Sequence, residues 1–184
     1  MNKAIILVSG GMDSCVTAAS AIMDGYKTAF LHVNYGQRTA SREQKAFYDI
    51  ADHYIVKQKL VVDMSHLSTI GGSCLTDSQI DVPNADLTNP NIPVSYVPFR
   101  NANILSAAVS WAEVLGATAI YVGAVEEDSS GYPDCRRTFF DAFEQTIAIG
   151  TKPDTQIKII TPLIALSKKD IVEKGIALNS PLHL

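Results

Sequence analysis

The sequence predicts an α/β protein with an open, doubly wound, mainly parallel sheet of five strands. Short apolar runs alternate with segments of helical periodicity along the chain. The first predicted strand, Lys3–Val8, is almost continuously apolar, which is typical of a strand buried on both faces of a parallel sheet. Ligands of such sheets bind at the carboxyl ends of the strands, so the segments that follow the strands are the candidates for a functional site.

The first half of the chain contains three predicted strands: Lys3–Val8, Lys27–Val33 and Ile55–Val62. Two predicted helices connect them, Cys15–Asp24, which Gly25 closes, and a helix from Ser41 to about His53. Gln44 follows Ser41 by three residues, and this spacing predicts a capping box at the start of the second helix.

Residues 64–96 are rich in Ser, Asp, Asn and Pro and lack periodicity, which predicts an irregular loop of about 30 residues. The alternation then resumes. Three further helices are predicted, Asn101–Leu115 with Gly116 as its stop, Arg137–Ile149 and Ser167–Lys174, and two further strands, Ala119–Val125 and Ile157–Ile160. Neither an internal repeat nor a domain boundary is evident, so we expect one domain over residues 1–184.

The composition limits the class of protein. The chain has 184 residues, 47% of them hydrophobic and 18% charged, with a net charge of −4. No apolar run approaches the roughly 18 residues that a membrane span needs, and the apolar start is too short for a signal peptide, so we expect a cytoplasmic protein. The acidic balance disfavours a broad nucleic-acid surface and favours a small-molecule partner.

The cysteines and histidines do not predict a metal site. Cys15, Cys74 and Cys135 are odd in number and far apart, which excludes a disulfide framework and a zinc knuckle of paired cysteines and indicates reduced thiols. The four histidines are scattered without the spacing of metal ligands.

The stretch "SGGMDS", residues 9–14, leaves the first strand and enters a predicted helix. A helix N-terminus offers unpaired N–H groups and a positive dipole, which favour an anion. Gly10 and Gly11 would let the backbone approach a phosphate chain, while Ser9, Asp13 and Ser14 could add hydroxyl contacts or hold Mg²⁺. The alternative is a tight turn with Asp13 or Ser14 as its cap. Neither a Gly-Lys-Ser/Thr sequence nor the three-glycine dinucleotide spacing is present.

This stretch resembles the PP-loop motif SGGxDS of the ATP pyrophosphatases, which it matches at Ser9, Gly10, Gly11, Asp13 and Ser14. The resemblance implies a Rossmann-like fold of the adenine nucleotide alpha hydrolase type, with ATP and Mg²⁺ as cofactors. It implies cleavage of ATP between the α and β phosphates and transfer of AMP to a substrate oxygen. The nucleotide-binding residues would be Val8, Ser9, Gly10, Gly11, Met12, Asp13, Ser14 and Cys15, with Asp13 as a possible ligand of Mg²⁺.

Three later segments, "HVNYGQR" (32–38), "VPFRNANIL" (97–105) and "SGYPDCR" (130–136), resemble segments of the 7-cyano-7-deazaguanine synthase family, QueC/ExsB, in the same order. The resemblance covers essentially the whole chain. It implies an ATP-dependent ligase that converts 7-carboxy-7-deazaguanine and ammonia into the nitrile that precedes queuosine. The route would be an adenylated carboxylate followed by an adenylated amide, and family members commonly form homodimers.

Arg100 begins a predicted helix after a loop, and Arg38 ends the loop after the second strand, so either arginine could meet phosphates or the substrate carboxylate. We favour Arg100 and count it with Ser9, Asp13 and Ser14 as catalytic. The alternative for Arg100 is a surface position, and Asn101 could bind substrate or cap the helix.

Tyr35 and Gln37 follow the second strand, where the adenosine side of a nucleotide commonly binds in such sheets. Tyr35 has an equally good interpretation as a core residue.

The segment after the fourth strand is a predicted substrate loop. Glu126 and Asp128 could accept hydrogen bonds from the deazaguanine ring, Tyr132 could stack on it, and Asp134 or Arg136 could close the site. A solvated acidic turn explains the acidic residues almost as well.

The chain departs from the family pattern at its end. Family members carry four cysteines there, a lone one followed by a CxxCxxC group, that bind a structural Zn²⁺, and this sequence lacks them. Since it stops at Asn179–Leu184, we expect a truncated or incomplete chain. Two alternatives stay open: another PP-loop pyrophosphatase that amidates or thiolates a different substrate, RNA included, and a nucleotide-binding fragment without catalysis.

Overall fold

The structure is a computed structural model that describes residues 2–77, 79–82, 92–126 and 131–184. Within these residues five strands form one sheet: β1 (Lys3–Leu7), β2 (Lys27–Asn34), β3 (Gln58–Asp63), β4 (Ala119–Tyr121) and β5 (Lys158–Ile160). The helices are α1 (Met12–Met23), α2 (Ala40–His53), α3 (His66–Ile70), α4 (Arg100–Leu115), α5 (Arg137–Gly150) and α6 (Lys168–Ala177), with a short 3₁₀ helix at Pro133–Cys135.

The strand order is β3-β2-β1-β4-β5, and every pairing between neighbours is parallel. The chain therefore moves outward from β1 to β3, crosses to the other side of β1, and moves outward again to β5. This reversal creates a switch point between β1 and β4, where doubly wound sheets place their ligands. The predicted fold class is confirmed.

Two apolar clusters lie on opposite faces of the sheet. Ala4 and Ile6 of β1 face a cluster with α1 and α2, whereas Ile5 faces a cluster with α4 and α5. Successive side chains of a strand point to opposite faces. Because both faces of β1 are covered, apolar residues are needed at both its odd-numbered and its even-numbered positions. This explains the nearly continuous apolar run at the start of the sequence.

Helix α1 begins three residues earlier than predicted, at Met12, because Gly11 takes an extended conformation and serves as its N-cap. As a consequence, Asp13 and Ser14 lie in the first turn of the helix and not in the preceding loop. Strand β3 begins three residues later than predicted, because Ile55 has φ = 55°, which a strand residue does not adopt.

The predicted capping box at Ser41 and Gln44 is wrong. Helix α2 begins at Ala40 with Thr39 as its N-cap, and the Thr39 hydroxyl donates to the Glu43 carboxylate. A capping box is present at α6 instead, where the Ser167 hydroxyl accepts from the backbone of Asp170 and the Asp170 carboxylate accepts from the backbone of Ser167. Ser167 directly precedes the helix and Asp170 is its third residue, which are the N-cap and N3 positions that the motif requires.

Two further predicted ends are wrong: β4 ends at Tyr121 and not at Val125, and α6 continues to Ala177, three residues beyond the predicted Lys174. Gly116 closes α4 in the left-handed conformation, with φ = 63°. The predicted irregular segment 64–96 contains the short helix α3, and its residues 78 and 83–91 lie outside the described part of the chain. Among the described residues, none of the helices has the length and apolar character needed to span a membrane.

Candidate functional site

A cleft of about 810 Å³ opens at the carboxyl edge of the sheet, where α1, α2 and α4 begin. It brings together most of the residues predicted for nucleotide binding. The predicted site residues that line it are Val8, Ser9, Gly10, Gly11, Met12, Asp13, Ser14, Tyr35, Arg100 and Asn101.

The loop between β1 and α1 packs tightly against α2 at Gly10. Gly10 has φ = 85°, and a Cβ at this position would lie 2.7 Å from the Glu43 carbonyl oxygen and 2.8 Å from Ala46 Cβ. Both the backbone conformation and the space therefore require glycine. A second close approach is at Gly123, just after β4, where a Cβ would lie 3.0 Å from Thr17 Oγ1 of α1. Glycine at this position therefore lets the chain after β4 pass close to α1.

Replacing Gly10 with alanine is expected to lower the free energy of unfolding by about 2–4 kcal/mol, since it adds steric overlap with α2 to the cost of a left-handed residue. Chemical denaturation measures this loss. The matched control is Gly25→Ala: Gly25 has φ = 79°, but an added Cβ would meet nothing within 4 Å. Equal losses in the two variants would contradict the role assigned to the contact with α2.

The two serines of the loop are held by hydrogen bonds within it. Ser14 Oγ donates to the Gly11 carbonyl at 2.8 Å and lies 3.3 Å from Ser9 Oγ, which accepts from the Gly11 N–H at 3.4 Å. No side chain of the described residues caps the start of α1. The first turn therefore presents its positive end to the cleft, which is a suitable place for phosphate oxygens.

Only one of the two carboxylate oxygens of Asp13 has a hydrogen-bond partner among the described residues. Its Oδ2 accepts from Lys168 Nζ at 2.8 Å, whereas its Oδ1 is buried and has no hydrogen-bond partner among the described residues. A buried carboxylate oxygen without a partner is costly, which makes Asp13 a candidate for contact with a bound cation or a water molecule. Mg²⁺ fits, because it is usually held by one or two carboxylates together with substrate phosphates. The described residues contain no group of three or more His, Cys, Asp or Glu that could hold a metal ion by itself.

Arg100 begins α4 and lies against Tyr35 from the end of β2. Its Nη1 donates to the Tyr35 hydroxyl at 3.0 Å, and its guanidinium carbon lies 5.1 Å from the centre of the Tyr35 ring. Burial raises the pKa of Tyr35 above its ordinary value, and the neighbouring guanidinium opposes that shift. Tyr35 therefore stays neutral and holds Arg100 by a hydrogen bond and a cation–π contact. It is buried and lines the cleft, so the core and site interpretations both apply to it.

Gln37 lies outside the lining of the cleft. Its side chain is buried, its Oε1 accepts from the Tyr35 N–H at 2.8 Å, and its Nε2 donates to Glu43 Oε2 at 3.0 Å. The amide is thus occupied in joining the segment after β2 to α2. Cys15 also lies outside the lining, buried in α1, where burial raises the pKa of its thiol to about 11.

Arg38 points away from the cleft. Its Nη2 donates to the backbone carbonyls of Asp77 at 2.8 Å and Ile80 at 3.0 Å. Arg38 and Arg100 were the two arginines predicted to bind phosphates or the substrate carboxylate. Of these two, only Arg100 lines the cleft with the loop at Ser9–Ser14.

Asp134 closes the start of α4. Its Oδ2 accepts from the Asn101 N–H, and its carbonyl accepts from Asn101 Nδ2, both at 2.9 Å. A carboxylate at a helix N-terminus satisfies an unpaired N–H and interacts favourably with the dipole. Cys135, which lines the cleft beside Asn101, has its thiol pKa raised mainly by burial, which supports a buried thiol and not a nucleophile.

Three other predicted substrate residues lie outside the lining of the cleft: Glu126, Tyr132 and Arg136. Glu126 is exposed, and its Oε2 accepts from the Arg137 N–H at 3.4 Å. The Tyr132 hydroxyl hydrogen-bonds with Ser95 Oγ at 2.6 Å. Arg136 is exposed at the N-cap of α5, and Asp128 lies outside the described residues.

Sequence reasoning missed several charged residues of the cleft. Arg42, Glu43 and Lys45 reach it from α2, and Lys168 reaches it from the first turn of α6. The sequence could have indicated such residues in general terms, because helices that follow parallel strands begin at the carboxyl edge of the sheet. Polar residues in their first turns therefore approach a common site.

The fold and the loop together define a protein of the PP-loop ATP pyrophosphatase type: an open parallel sheet with SGGxDS between its central strand and the first helix. The fold is shared with a predicted subunit of tRNA methyltransferase from Methanocaldococcus jannaschii, with a TM-score of 0.58 at 15% identity over 94% of this chain and 73% of that one. A likeness at this identity concerns the fold alone.

The family model "Queuosine biosynthesis protein QueC" matches residues 3–184, and the chain belongs to this family. It is 58% identical over 181 residues to the 7-cyano-7-deazaguanine synthase of Chlorobaculum parvum and 59% identical over 181 residues to that of Chlorobaculum tepidum. Each match covers 98% of this chain and 80% of the relative. The predicted family is confirmed, and with it the prediction of an ATP-dependent enzyme of queuosine biosynthesis.

Proposed function

We propose that this enzyme converts 7-carboxy-7-deazaguanine and ammonia into 7-cyano-7-deazaguanine, using ATP bound at residues 8–14. The observation that carries the proposal is the buried, unpartnered Asp13 Oδ1 at the mouth of a glycine loop, in a cleft that also contains Arg100. This arrangement suits a triphosphate with its metal ion on one side and an anionic acyl group on the other.

The reaction needs two activations. A carboxylate oxygen attacks the α phosphorus of ATP, the bond to the bridging oxygen breaks, and pyrophosphate leaves. Ammonia then adds to the acyl adenylate, expels AMP and loses a proton to give the amide. The amide oxygen then attacks the α phosphorus of a second ATP, pyrophosphate leaves, and the nitrogen loses one proton to give an O-adenylated imidate. Departure of AMP with loss of the second N–H proton gives the nitrile. Each activation turns a poor leaving group into a good one.

The loop is suited to stabilising the departing pyrophosphate. Charge develops on the oxygen between the α and β phosphorus atoms, and the N–H groups in the first turn of α1 offer donors fixed in advance. The Ser9 and Ser14 hydroxyls, which donate within the loop in this structure, would turn toward the phosphates when these bind. Asp13 would hold Mg²⁺, which supplies charge neutralisation at the phosphates when bound. Lys168 pairs with Asp13 at 2.8 Å and would add a positive charge beside the same phosphates.

Arg100 is proposed to bind the substrate carboxylate or the α phosphate of the adenylate. Its planar guanidinium is held from one side by Tyr35, which leaves its remaining N–H groups for an anion. The deazaguanine ring would extend toward Asn101 and the segment after β4, with Glu126, Asp128, Tyr132, Asp134 and Arg136 as its candidate contacts.

The proposal also covers the oligomeric state, the cellular location and the partners of the protein. A cytoplasmic homodimer acting on a small molecule, without nucleic acid, agrees with the acidic net charge of −4 and with three buried free thiols.

The test is incubation of the whole chain with ATP, Mg²⁺, ammonium and 7-carboxy-7-deazaguanine, followed by mass spectrometry and assays of AMP and pyrophosphate. We expect the nitrile, with about two AMP formed per nitrile. AMP formed with another acid but not with this one would indicate a different PP-loop pyrophosphatase. ATP binding without AMP formation would indicate a nucleotide-binding protein without catalysis, and both outcomes would contradict the proposal.

A further inference from the structure

His32 is a buried, polar side chain on β2 for which the proposed chemistry has no use. It is 1% exposed, and it lies on the central part of the sheet beside the point where β1 ends. Its Nδ1 is 2.8 Å from the carbonyl oxygen of Val8, the residue that immediately precedes the loop at Ser9–Ser14. Because a carbonyl only accepts, Nδ1 carries the ring hydrogen and donates it.

This hydrogen bond lies where β1 leaves the sheet. The register of β1 against β2 ends with Leu7 opposite Leu31, and the Val8 N–H still donates to the Leu31 carbonyl at 2.9 Å. The Val8 carbonyl accepts from the imidazole of His32. Both backbone polar groups of Val8 are therefore held, and the direction in which the chain enters the loop is set at this residue.

The other side of the imidazole is joined to α2. The ring stacks on Phe47, with centroids 5.2 Å apart and planes at 29°. Its Nε2 lies 3.1 Å from Asn34 Oδ1, and Asn34 Nδ2 lies 2.9 Å from Gln44 Oε1. With the ring hydrogen on Nδ1, Nε2 needs a donor, and turning the Asn34 and Gln44 amides over, which exchanges their nitrogen and oxygen atoms, lets Asn34 donate to Nε2 and Gln44 donate to Asn34.

Helix α2 also forms the wall against which Gly10 packs, through Glu43 and Ala46. One imidazole therefore joins the first residue before the loop to the helix that limits the loop on its outer side. A phenylalanine would fill the same space against Phe47, but it would leave the buried Val8 carbonyl without a partner. An unpaired buried carbonyl is costly, and a small rotation of its peptide plane would relieve that cost by displacing the loop.

We propose that His32 is a positioning residue of the loop at Ser9–Ser14: its Nδ1–H fixes the Val8 peptide and thereby the orientation of the groups that receive the phosphates. The part of this inference that concerns phosphates rests on the proposed function. The ordering of the loop by His32 does not, and it can be measured without any ligand.

Three variants separate the hydrogen bond from the packing. The amide nitrogen of asparagine stands as many bonds from Cβ as Nδ1 of histidine, so His32→Asn can keep the donor to Val8. In His32→Gln the nitrogen stands one atom further out, where Nε2 lies, so the donor to Val8 is lost. His32→Phe keeps the ring on Phe47 and loses both nitrogens. His53→Gln, at an exposed histidine near the end of α2, is the control.

Hydrogen–deuterium exchange of the loop amides without ligand, and the dissociation constant of ATP, are measured for each variant. We expect loop exchange to be about tenfold faster and ATP binding about tenfold weaker in His32→Gln and His32→Phe. In His32→Asn and His53→Gln both quantities should stay within about threefold of the parent. Thermal unfolding midpoints identify any variant that is globally destabilised.

Parent-like exchange and affinity in a folded His32→Phe would overturn the inference, because packing alone would then suffice. Losses in His32→Asn as large as those in His32→Gln would also overturn it. If His32→Phe does not fold, the Asn and Gln pair decides the question. If the parent chain binds no ATP, the proposed function fails, and the exchange pattern still decides whether His32 orders the loop.

Discussion

Replacing Asp13 with asparagine is expected to lower kcat/KM for pyrophosphate formation by at least about 10³-fold, with little change in the unfolding midpoint. The amide keeps the size of the side chain but removes the charge that the buried Oδ1 offers to Mg²⁺. The expected consequence is that high Mg²⁺ does not restore the rate. Initial rates of AMP and pyrophosphate formation over a range of Mg²⁺ concentrations measure the effect.

Controls for Asp13 separate the carboxylate from its ion pair. Lys168→Met removes the lysine that pairs with Asp13 but keeps the carboxylate, and we expect a smaller loss, about 10–100-fold, because it removes one cation proposed to lie beside the phosphates. Asp52→Asn breaks an exposed pair with Lys59, 3.0 Å long, and should have little effect. Full activity of Asp13→Asn at ordinary Mg²⁺ would show that the carboxylate is not the metal ligand.

Replacing Arg100 with glutamine is expected to lower kcat about 10²–10³-fold, since it removes the cation that we propose binds the acyl carboxylate or the α phosphate. Arg100→Lys should recover only part of the rate, because an ammonium lacks the planar pair of donors and stacks less well on Tyr35. Steady-state rates with ATP and with the carboxylated deazaguanine varied in turn show which ligand the arginine meets.

Two further variants test the geometry around Arg100. Tyr35→Phe keeps the ring beneath the guanidinium and removes only the hydroxyl that accepts from Nη1, so a loss of about tenfold or less is expected. Arg38→Gln changes the arginine that bonds the Asp77 and Ile80 carbonyls away from the cleft, and its effect should be much smaller than that of Arg100→Gln. A larger effect at Arg38 would transfer the anion-binding role to that residue.

The fold class was predictable because each strand carries its own local pattern. Short apolar runs that alternate with segments of helical periodicity indicate strands joined by helices. Few topologies other than an open parallel sheet fit this alternation. Boundaries were less predictable where one backbone angle decides them. Ile55 belongs to an apolar segment, yet its φ of 55° delays the start of β3 to Gln58. No side-chain pattern of the segment carries that information.

The site was predictable where its residues are consecutive. Ser9, Gly10, Gly11, Asp13 and Ser14 stand together in the chain, and all of them line the cleft. Gln37 and Asp134 show the limit of this reasoning. Both are polar and follow strands, as site residues do, but the structure uses their side chains to hold the segment after β2 and the start of α4.

By itself, the sequence determined the alternation of strands and helices, the glycine loop after the first strand and the family to which the chain belongs, because these depend on periodicity and on residues adjacent in the chain. Only the tertiary structure decided which distant side chains meet at the loop. Lys168 lies 155 residues from Asp13 and pairs with it, and His32 lies 24 residues from Val8 and holds its carbonyl. These contacts arise because parallel strands end at one edge of the sheet, which brings residues from separate parts of the chain within hydrogen-bond distance.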